Sequence, residues 1–526
     1  MKLISAIILS GLIIFPVLGQ PKTEVAWYRY YDGVVSGIDI PNDAALDNES
    51  NLYIAGRSTG EEGMGQDLLI LKYGRDGELI NNIRFVKPNS WEEAHSIYVD
   101  EQQNIFVSGE ISAHGGSSQG IYQKFDKTGH LIWSHTMAGI PSQNNGIHLV
   151  DSELNLIIGF TEADTSAGFA KFDSETGKDT IWTKSYSIDG DYFELADMVV
   201  DQEDNLYAIL REYYYCGVDL SCIKAKILKF DSTGELLWEI EQDDRQPDAF
   251  ITDHNGNLYV DVFIEYSQPA LQKIESNGEL VWENSFSYRT HDITDFAIDG
   301  NGNIVICYWG RSGSSFFYTL EKHSAGGDTL WTNRYEYEET NFTIGSGLHI
   351  DSENNIYVTG HNQGLQVFKF SEDGNLLWTE KKELPEGVSY DGNWVFTNDY
   401  DEVFVAGRMA DSETGWNFLA MKVNENIKVS NEPISEQIPR KIKLLQNYPN
   451  PFNPRTIIEY EVNIQGNIRV LVYDQTGRIV RELINSHHLA GTYTVEFDAQ
   501  NLASGIYYYH LQTSGEEDIG KAVLIK

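Results

Sequence analysis

Along most of the chain, short runs of alternating apolar and polar residues are cut by polar turns, a pattern that predicts β-strands rather than helices. Residues 196–240 show it plainly. Ala196 to Val200 is an apolar run, Asp201-Gln-Glu-Asp-Asn205 a polar turn, and Leu206 to Arg211 a second run. Ala225 to Phe230 makes a third, Asp231-Ser-Thr-Gly234 turns the chain, and Glu235 to Ile240 makes a fourth that carries Trp238. Four strands joined by tight turns predict one antiparallel sheet. Asp and Asn bond their own backbone two residues on, and Gly accepts the positive φ of a hairpin.

The pattern repeats. An Asp-x-x-x-Asn-(Leu/Ile) phrase begins at Asp47, Asp100, Asp151, Asp201, Asp253, Asp299 and Asp351, and a degenerate eighth copy runs from Asn398 to Glu402-Val403. The intervals are 53, 51, 50, 52, 46, 52 and 47 residues. About half a period later comes Lys-Phe-Asp, a turn with Gly, then Leu-x-Trp. Trp133, Trp182, Trp238, Trp282, Trp331 and Trp378 fall at this place, and Asn81 stands there in the first copy. A broad indole suits the wedge between neighbouring sheets. Sheets repeating at this period predict a β-propeller.

The eighth copy lacks its Leu-x-Trp strand, and a matching segment, Glu24 to Tyr30 with Trp27, occurs near the start of the chain. Pairing the two would close a ring and remove both free edges. The expectation is an all-β chain with an eight-bladed propeller over residues 22–428, closed by its N-terminal strand. An open solenoid would need capping repeats.

After Lys428 the composition changes. Residues 429–440 are polar, contain Pro433 and Pro439, and read as a linker. Residues 441–526 return to short alternating strands and predict a small immunoglobulin-like β-sandwich. Residues 1–19 have the charged start, apolar run and small-residue end of a signal peptide, and no later apolar run is long enough for a transmembrane anchor.

Composition narrows the partners. A formal charge of −41 argues against nucleic acid and anionic membranes. Three cysteines do not build a disulfide scaffold. Cys216 and Cys222 flank a short insertion and are a candidate disulfide, while Cys307 lies in an apolar strand and reads as a buried thiol.

Candidate chemistry is sparse. Gly116-Ser-Ser118-Gln-Gly120 has the spacing of a nucleophile elbow but sits in a loop between predicted strands, without the strand-to-helix turn that motif needs. Asp253-His-Asn-Gly-Asn257 and Asp299-Gly-Asn-Gly-Asn303 resemble calcium loops, yet the phrase recurs in every complete copy as a hairpin turn. No cofactor is expected, beyond a weak surface calcium ion at such a loop. His95, His148 and His349, with Asp197, Asp248 and Asp295, fall on predicted innermost strands near a central channel. Tyr213, Tyr214, Tyr215 and Trp309, with Tyr335 and Tyr337, are candidate rim aromatics for a polysaccharide or protein ligand.

Two resemblances follow from these residues. The Lys-Phe-Asp, Gly, Leu-x-Trp phrase, most clearly Asp173-Ser-Glu-Thr-Gly177 followed by Trp182, resembles the repeat of pyrroloquinoline-quinone-type propellers. It implies the fold and not the cofactor, because the adjacent cysteines of many quinoprotein alcohol dehydrogenases are absent. Asn447-Tyr-Pro449-Asn-Pro451-Phe-Asn-Pro454, Tyr473-Asp-Gln-Thr-Gly477, Leu502-Ala-Ser-Gly505-Ile-Tyr507 and Lys521-Ala-Val-Leu-Ile-Lys526 resemble, in order, a type A C-terminal sorting domain of the type IX secretion system. That resemblance implies export to the cell surface or beyond, with Pro449, Pro451, Gly505, Tyr507, Lys521 and Lys526 as sorting-signal residues for the secretion machinery. The functional expectation is an exported propeller used for binding or adhesion. The competing expectation is a secreted enzyme, a glycan-active hydrolase or lyase or a quinoprotein, working at the channel mouth.

Overall fold

The structure, a computed structural model, describes residues 22–426 and 442–526 apart from 34–36, 61–64, 114–117, 139–147, 164–165, 178, 189, 191, 218–219, 243–244, 265–268, 287–289, 313–314, 338–341, 363, 384–387, 412–414, 445–446, 448, 463–465, 476, 489–490 and 514–515. The leader at 1–19, the linker at 429–440 and positions 116 and 117 of the Gly116–Gly120 segment lie outside these residues, while Ser118 to Gly120 open the strand Ser118–Phe125 rather than lying in a loop. The chain divides into two compact units, Pro21–Asn426 and a second that holds Ile427–Lys526. No helix among the described residues is long and apolar enough to cross a membrane.

The first unit is the all-β propeller that the repeat predicts, built from eight four-stranded antiparallel sheets. Blades 1 to 7 cover residues 40–85, 90–138, 148–187, 192–242, 245–285, 290–337 and 342–383, with strands in sequence order. Blade 8 joins Ser389–Thr397, Glu402–Asp411 and Gly415–Asn426 to Lys22–Tyr31, whose register runs from Lys22 opposite Asn426 to Tyr31 opposite Phe418. Adjacent blades meet through their first strands, which therefore surround the axis. Antiparallel pairing puts all first-to-second and third-to-fourth turns at one end of the ring, the regular end. The second-to-third hairpins and the blade crossings lie at the other, the variable end.

The repeated phrases explain why the blades hold. Asp201 Oδ1 accepts the N–H groups of Glu203 (3.0 Å) and Asn205 (2.9 Å), and Oδ2 accepts Asn205 Nδ2 (2.9 Å) and the Tyr207 hydroxyl (3.0 Å). Lys229, on the third strand, places Nζ 3.9 Å from the same carboxylate. Equivalent lysines pair with Asp47, Asp151 and Asp299. The other lone pairs of these carboxylates take backbone and amide N–H groups. Among the described residues no group of three or more His, Cys, Asp or Glu is placed to hold a metal ion.

Seven of the eight seams between blades are stapled by one turn carbonyl. Lys229 Nζ and Trp238 Nε1 of blade 4 both donate to Ser276 O in the outer turn of blade 5 (3.1 and 3.0 Å). Blade 5 does the same onto Ala325 O with Lys273 and Trp282, and blade 6 onto Glu372 O with Lys322 and Trp331. Trp133 and Lys124 share Ser174 O, and Trp182 reaches Ser232 O. In blade 1 Asn81 Nδ2 reaches Thr128 O at 2.7 Å in place of the indole. The glycine of the turn is needed for this contact. A Cβ on Gly177 (φ 60°) would sit 2.2 Å from the Trp133 ring.

Blade 8 solves two local problems. Its first turn reverses the usual pair. Asn398 Nδ2 donates to Glu402 Oε2 (2.7 Å), and Glu402 Oε1 takes Lys422 Nζ (2.6 Å). The charge facing the lysine is kept although the amide now comes first in the turn and the carboxylate, here Glu402, four residues later. Its outer hairpin does not exist, because the fourth strand comes from the other end of the chain. There the Glu425 carboxylate replaces the missing turn carbonyl, accepting Trp378 Nε1 at 2.7 Å and pairing with Lys369 Nζ. At the next seam Trp27 and Lys422 share Arg75 O (2.9 and 3.1 Å), while the Arg75 guanidinium bonds Glu402 at 2.6 Å and lies over Tyr400. Trp27, Ala44, Leu52, Phe404, Ala406 and Phe418 form one core across that junction, so the ring is closed.

The second unit packs a three-stranded sheet (Ile442–Leu444, Arg455–Val462, Gly491–Asp498) against a four-stranded one (Ile479–His488, Gly466–Tyr473, Gly505–Thr513, Glu516–Leu524). Phe452, Ile458, Val472, Phe497, Tyr507, Tyr509, Ala522 and Leu524 form the core between them. The Asn/Pro-rich opening is tied down by its own polar groups. Buried Asn447 bonds Thr456 Oγ1 (3.0 Å) and accepts the Tyr509 hydroxyl (3.2 Å). Asn450 bridges Lys521 O and Val523 N (both 2.9 Å), as a strand neighbour would.

Candidate functional site

The regular end is spent on turns and staples, so a site has to be sought where the copies differ. At the variable end of blades 4 and 5, Tyr192 opens the innermost strand opposite Tyr213. The two rings stack at 4.5 Å with an interplanar angle of 3°, and Tyr192 remains 47% exposed. Tyr213 donates to Glu194 Oε2 at 2.9 Å, and burial together with that carboxylate holds its phenol up at about 12. Arg211 links the groups, 3.5 Å from Glu194, bonded to Pro247 O at 3.1 Å and paired with Asp248. Beside them Arg211, Gln246, Asp248, Asp261, Phe263 and Pro269 line a shallow cleft of about 210 Å³. The result is a flat aromatic face next to a fixed row of donors and acceptors, which suits a ligand with both apolar faces and hydroxyl groups.

Only part of this was read from sequence. Tyr213 and Asp248 were singled out, but Tyr192, Glu194, Arg211 and Phe263 were not. The available signal was the arginine ten residues past the first turn residue, Asp201, which recurs as Arg57 after Asp47 and Arg408 after Asn398. Tyr214 lies on the strand Leu206–Gly217, where its hydroxyl donates to buried Glu212 (2.5 Å). The insertion lengthens two strands. Leu206–Gly217 and Leu220–Phe230 continue the blade hairpin, with Tyr214 opposite Cys222. The side chains of Tyr215, Cys216, Cys222, Trp309 and His148 lie outside the described residues.

The other candidates have local partners. Asp197 sits at a bulge of the innermost strand and accepts Met198 N (2.8 Å) and, across the seam, Phe250 N (3.0 Å). Asp43 and Asp295 repeat this toward Ile97 and Leu348. Burial pushes Asp197 up to about 7 and Asp43 and Asp295 to about 6, against these hydrogen bonds, although each keeps some open surface. His349 bonds Thr397 (2.8 Å), and burial lowers both His95 and His349. Cys307 is fully buried and its thiol is raised to about 12 by burial. Tyr335 packs on Phe370.

In the second unit, Pro451 and Lys521 help to line a groove of about 570 Å³ with Leu444, Tyr509 and Ile519. Tyr507 is in the core and donates to Ala503 O at 2.7 Å. Lys526 is tied to Gln500 O at 2.6 Å, Pro449 is exposed, and Gly505 starts its strand opposite Leu524.

Comparison with known proteins places the second unit. Residues 446–526 match the secretion system C-terminal sorting domain family. None of the curated proteins matches the chain by sequence. Among solved structures, the chain resembles the Dos1 propeller at 10% identity, covering 76% of this chain and 94% of that one with a TM-score of 0.46. PorZ of Porphyromonas gingivalis, described as an essential surface component of the type-IX secretion system, is 12% identical over 94% of this chain and 75% of its own, with a TM-score of 0.36. The polysaccharide lyase Uly1 is 11% identical over 75% and 91%, with a TM-score of 0.37. The chain is thus an all-β propeller carrying a secretion C-terminal sorting domain. That domain marks it for the cell surface or the exterior and implies contact with the type IX secretion machinery.

Proposed function

We propose that this exported propeller is a binding scaffold that holds its ligand at the variable end, on the Tyr192–Tyr213 platform and the Arg211 cleft. The observation that carries the reading is the rigid stack at 3° with one face open to solvent, braced through Glu194 and Arg211. An aromatic face held in place binds without first losing side-chain freedom. Glycoside hydrolysis needs one carboxyl free to carry a proton and another free to stay ionised. Glu194 and Asp248 are both committed to Arg211, which favours binding over turnover. The chain leaves the propeller at the regular end, where Asn426 lies opposite Lys22, away from this platform.

The test is a panel of neutral polysaccharides, anionic polysaccharides and matrix proteins, scored for retention and for released products. Tyr192→Ala and Phe263→Ala are each expected to weaken retention about tenfold, the equivalent of ~1.4 kcal/mol. Product release by the unaltered protein, or unchanged retention by both variants, overturns the proposal.

A further inference from the structure

Resting on that reading, we infer that the variable end carries three similar subsites, each an arginine–carboxylate pair beside an aromatic ring, and recognises a neutral polymer of repeating sugars. Arg57, Arg211 and Arg408 each stand ten residues past the turn residue of their copy, Asp47, Asp201 and Asn398. They occupy the same place on the second strands of blades 1, 4 and 8, opposite Ile40, Glu194 and Asp391 of the first strands. Each is ion-paired to a carboxylate of a first strand. Arg57 bonds Glu93 at 2.7 Å, Arg211 bonds Glu194 and Asp248, and Arg408 bonds Asp391 at 2.7 Å. Each pair also has an aromatic neighbour. Trp91 precedes Glu93 by two residues and so shares its strand face, as Tyr192 does with Glu194, and Trp91 is 52% exposed. In blade 8 the ring comes from the third strand instead: the Arg408 guanidinium lies 4.3 Å from the centre of the half-buried Trp416 ring.

Sequence repetition alone does not produce this set. Blades 2 and 5 carry Glu110 and Phe263 at the arginine position, so the module is present in some copies and absent from others. Three similar modules on one face fit a ligand that offers the same unit several times, which a polymer does and a folded protein epitope does not. The charges select its class. Every arginine is neutralised by its carboxylate, and the chain as a whole carries −41, so a polyanion would be repelled. Ring stacking and hydroxyl bonding remain, and both suit neutral pyranoses. Linked subsites raise the affinity for a chain that spans them by factors of 10²–10⁴ over one unit.

The full-length protein is titrated calorimetrically with cellotetraose, mannotetraose and tetragalacturonate, and its retention on the matching polymers is measured. One neutral tetrasaccharide is expected to bind with a stoichiometry near three. Trp91→Ala, Tyr192→Ala and Trp416→Ala should each remove one equivalent and weaken the polymer about tenfold or more. Trp416→Phe, which keeps a ring under Arg408, should restore the count if the loss in Trp416→Ala is local. A stoichiometry of one, a preference for tetragalacturonate, or no binding of either neutral sugar overturns the inference. A single polyanion or protein bound at Tyr192 would do so while leaving the binding scaffold intact.

Discussion

Glu425 is the sharpest place to test how the ring is held. It supplies an acceptor for the buried Trp378 indole and the partner of Lys369, whose side chain is 8% exposed. Glu425→Ala leaves a buried ammonium without its partner, which typically costs about 3–5 kcal/mol, and orphans an indole N–H, alone worth about 1–3 kcal/mol. The two losses share one acceptor and do not add, so about 3–5 kcal/mol is expected in total. Unfolding entropy of ~2.1 cal/mol/K per residue gives ~0.85 kcal/mol/K for the roughly 400 residues of Pro21–Asn426, hence a fall in Tm of about 4–6 °C. Glu425→Gln keeps an acceptor oxygen and removes the charge, as the neutral carbonyls of other seams do, and should lose only about 2 °C. All 11 tryptophans precede the sorting domain, so indole fluorescence during melting or urea unfolding reports the propeller alone. An exposed control such as Glu101→Ala should stay within 1 °C. If Glu425→Ala melts like the unaltered protein, or Glu425→Gln is as damaged as Glu425→Ala, the carboxylate does not stand in for a turn carbonyl.

Other expectations follow from the same geometry. Asp43, Asp197 and Asp295 have carboxyls raised above their unfolded values, so the stability of the protonated forms is complete below about pH 4 and is lost as pH climbs through 6 to 7. Asp197→Asn should flatten that decline in melts between pH 4 and 8, and an unchanged profile would show that Asp197 does not titrate with folding. Cys307 should resist alkylation in the folded protein and react once it is unfolded in urea, which peptide mass spectrometry can score; prompt labelling of native protein would contradict its burial. Deleting 446–526 should trap the propeller short of the cell surface, and normal surface delivery would contradict the sorting role. Removing residues 22–31 should expose the edge of Gly415–Asn426 and destabilise the propeller; an unaltered melt would show that blade 8 stands without its fourth strand.

The all-β propeller was legible in the chain because its determinants are local and repeated. Asp201, Asn205, Gly234 and Trp238 each do their work within one hairpin or against the next identical one, so a single copy implies the rest. The sorting domain was legible for a different reason, since its residues form a recognisable motif from Asn447 to Lys526, although Asn447 and Asn450 are held by Tyr509, Lys521 and Val523, 62 to 73 positions away. What tertiary structure alone decided are the contacts made once. Glu425 meets residues 47 and 56 positions away, and nothing in its own neighbourhood marks it as a surrogate carbonyl. Lys229 looks like a surface lysine in an alternating strand until the next blade covers it and supplies Ser276 O. Tyr192 joins Tyr213 only because the antiparallel register of blade 4 sets them opposite each other, and Arg211 joins Asp248 only across a seam. Repetition writes the scaffold into the sequence; the candidate site arises where non-repeating side chains are brought together by strand register and by the packing of one blade on the next.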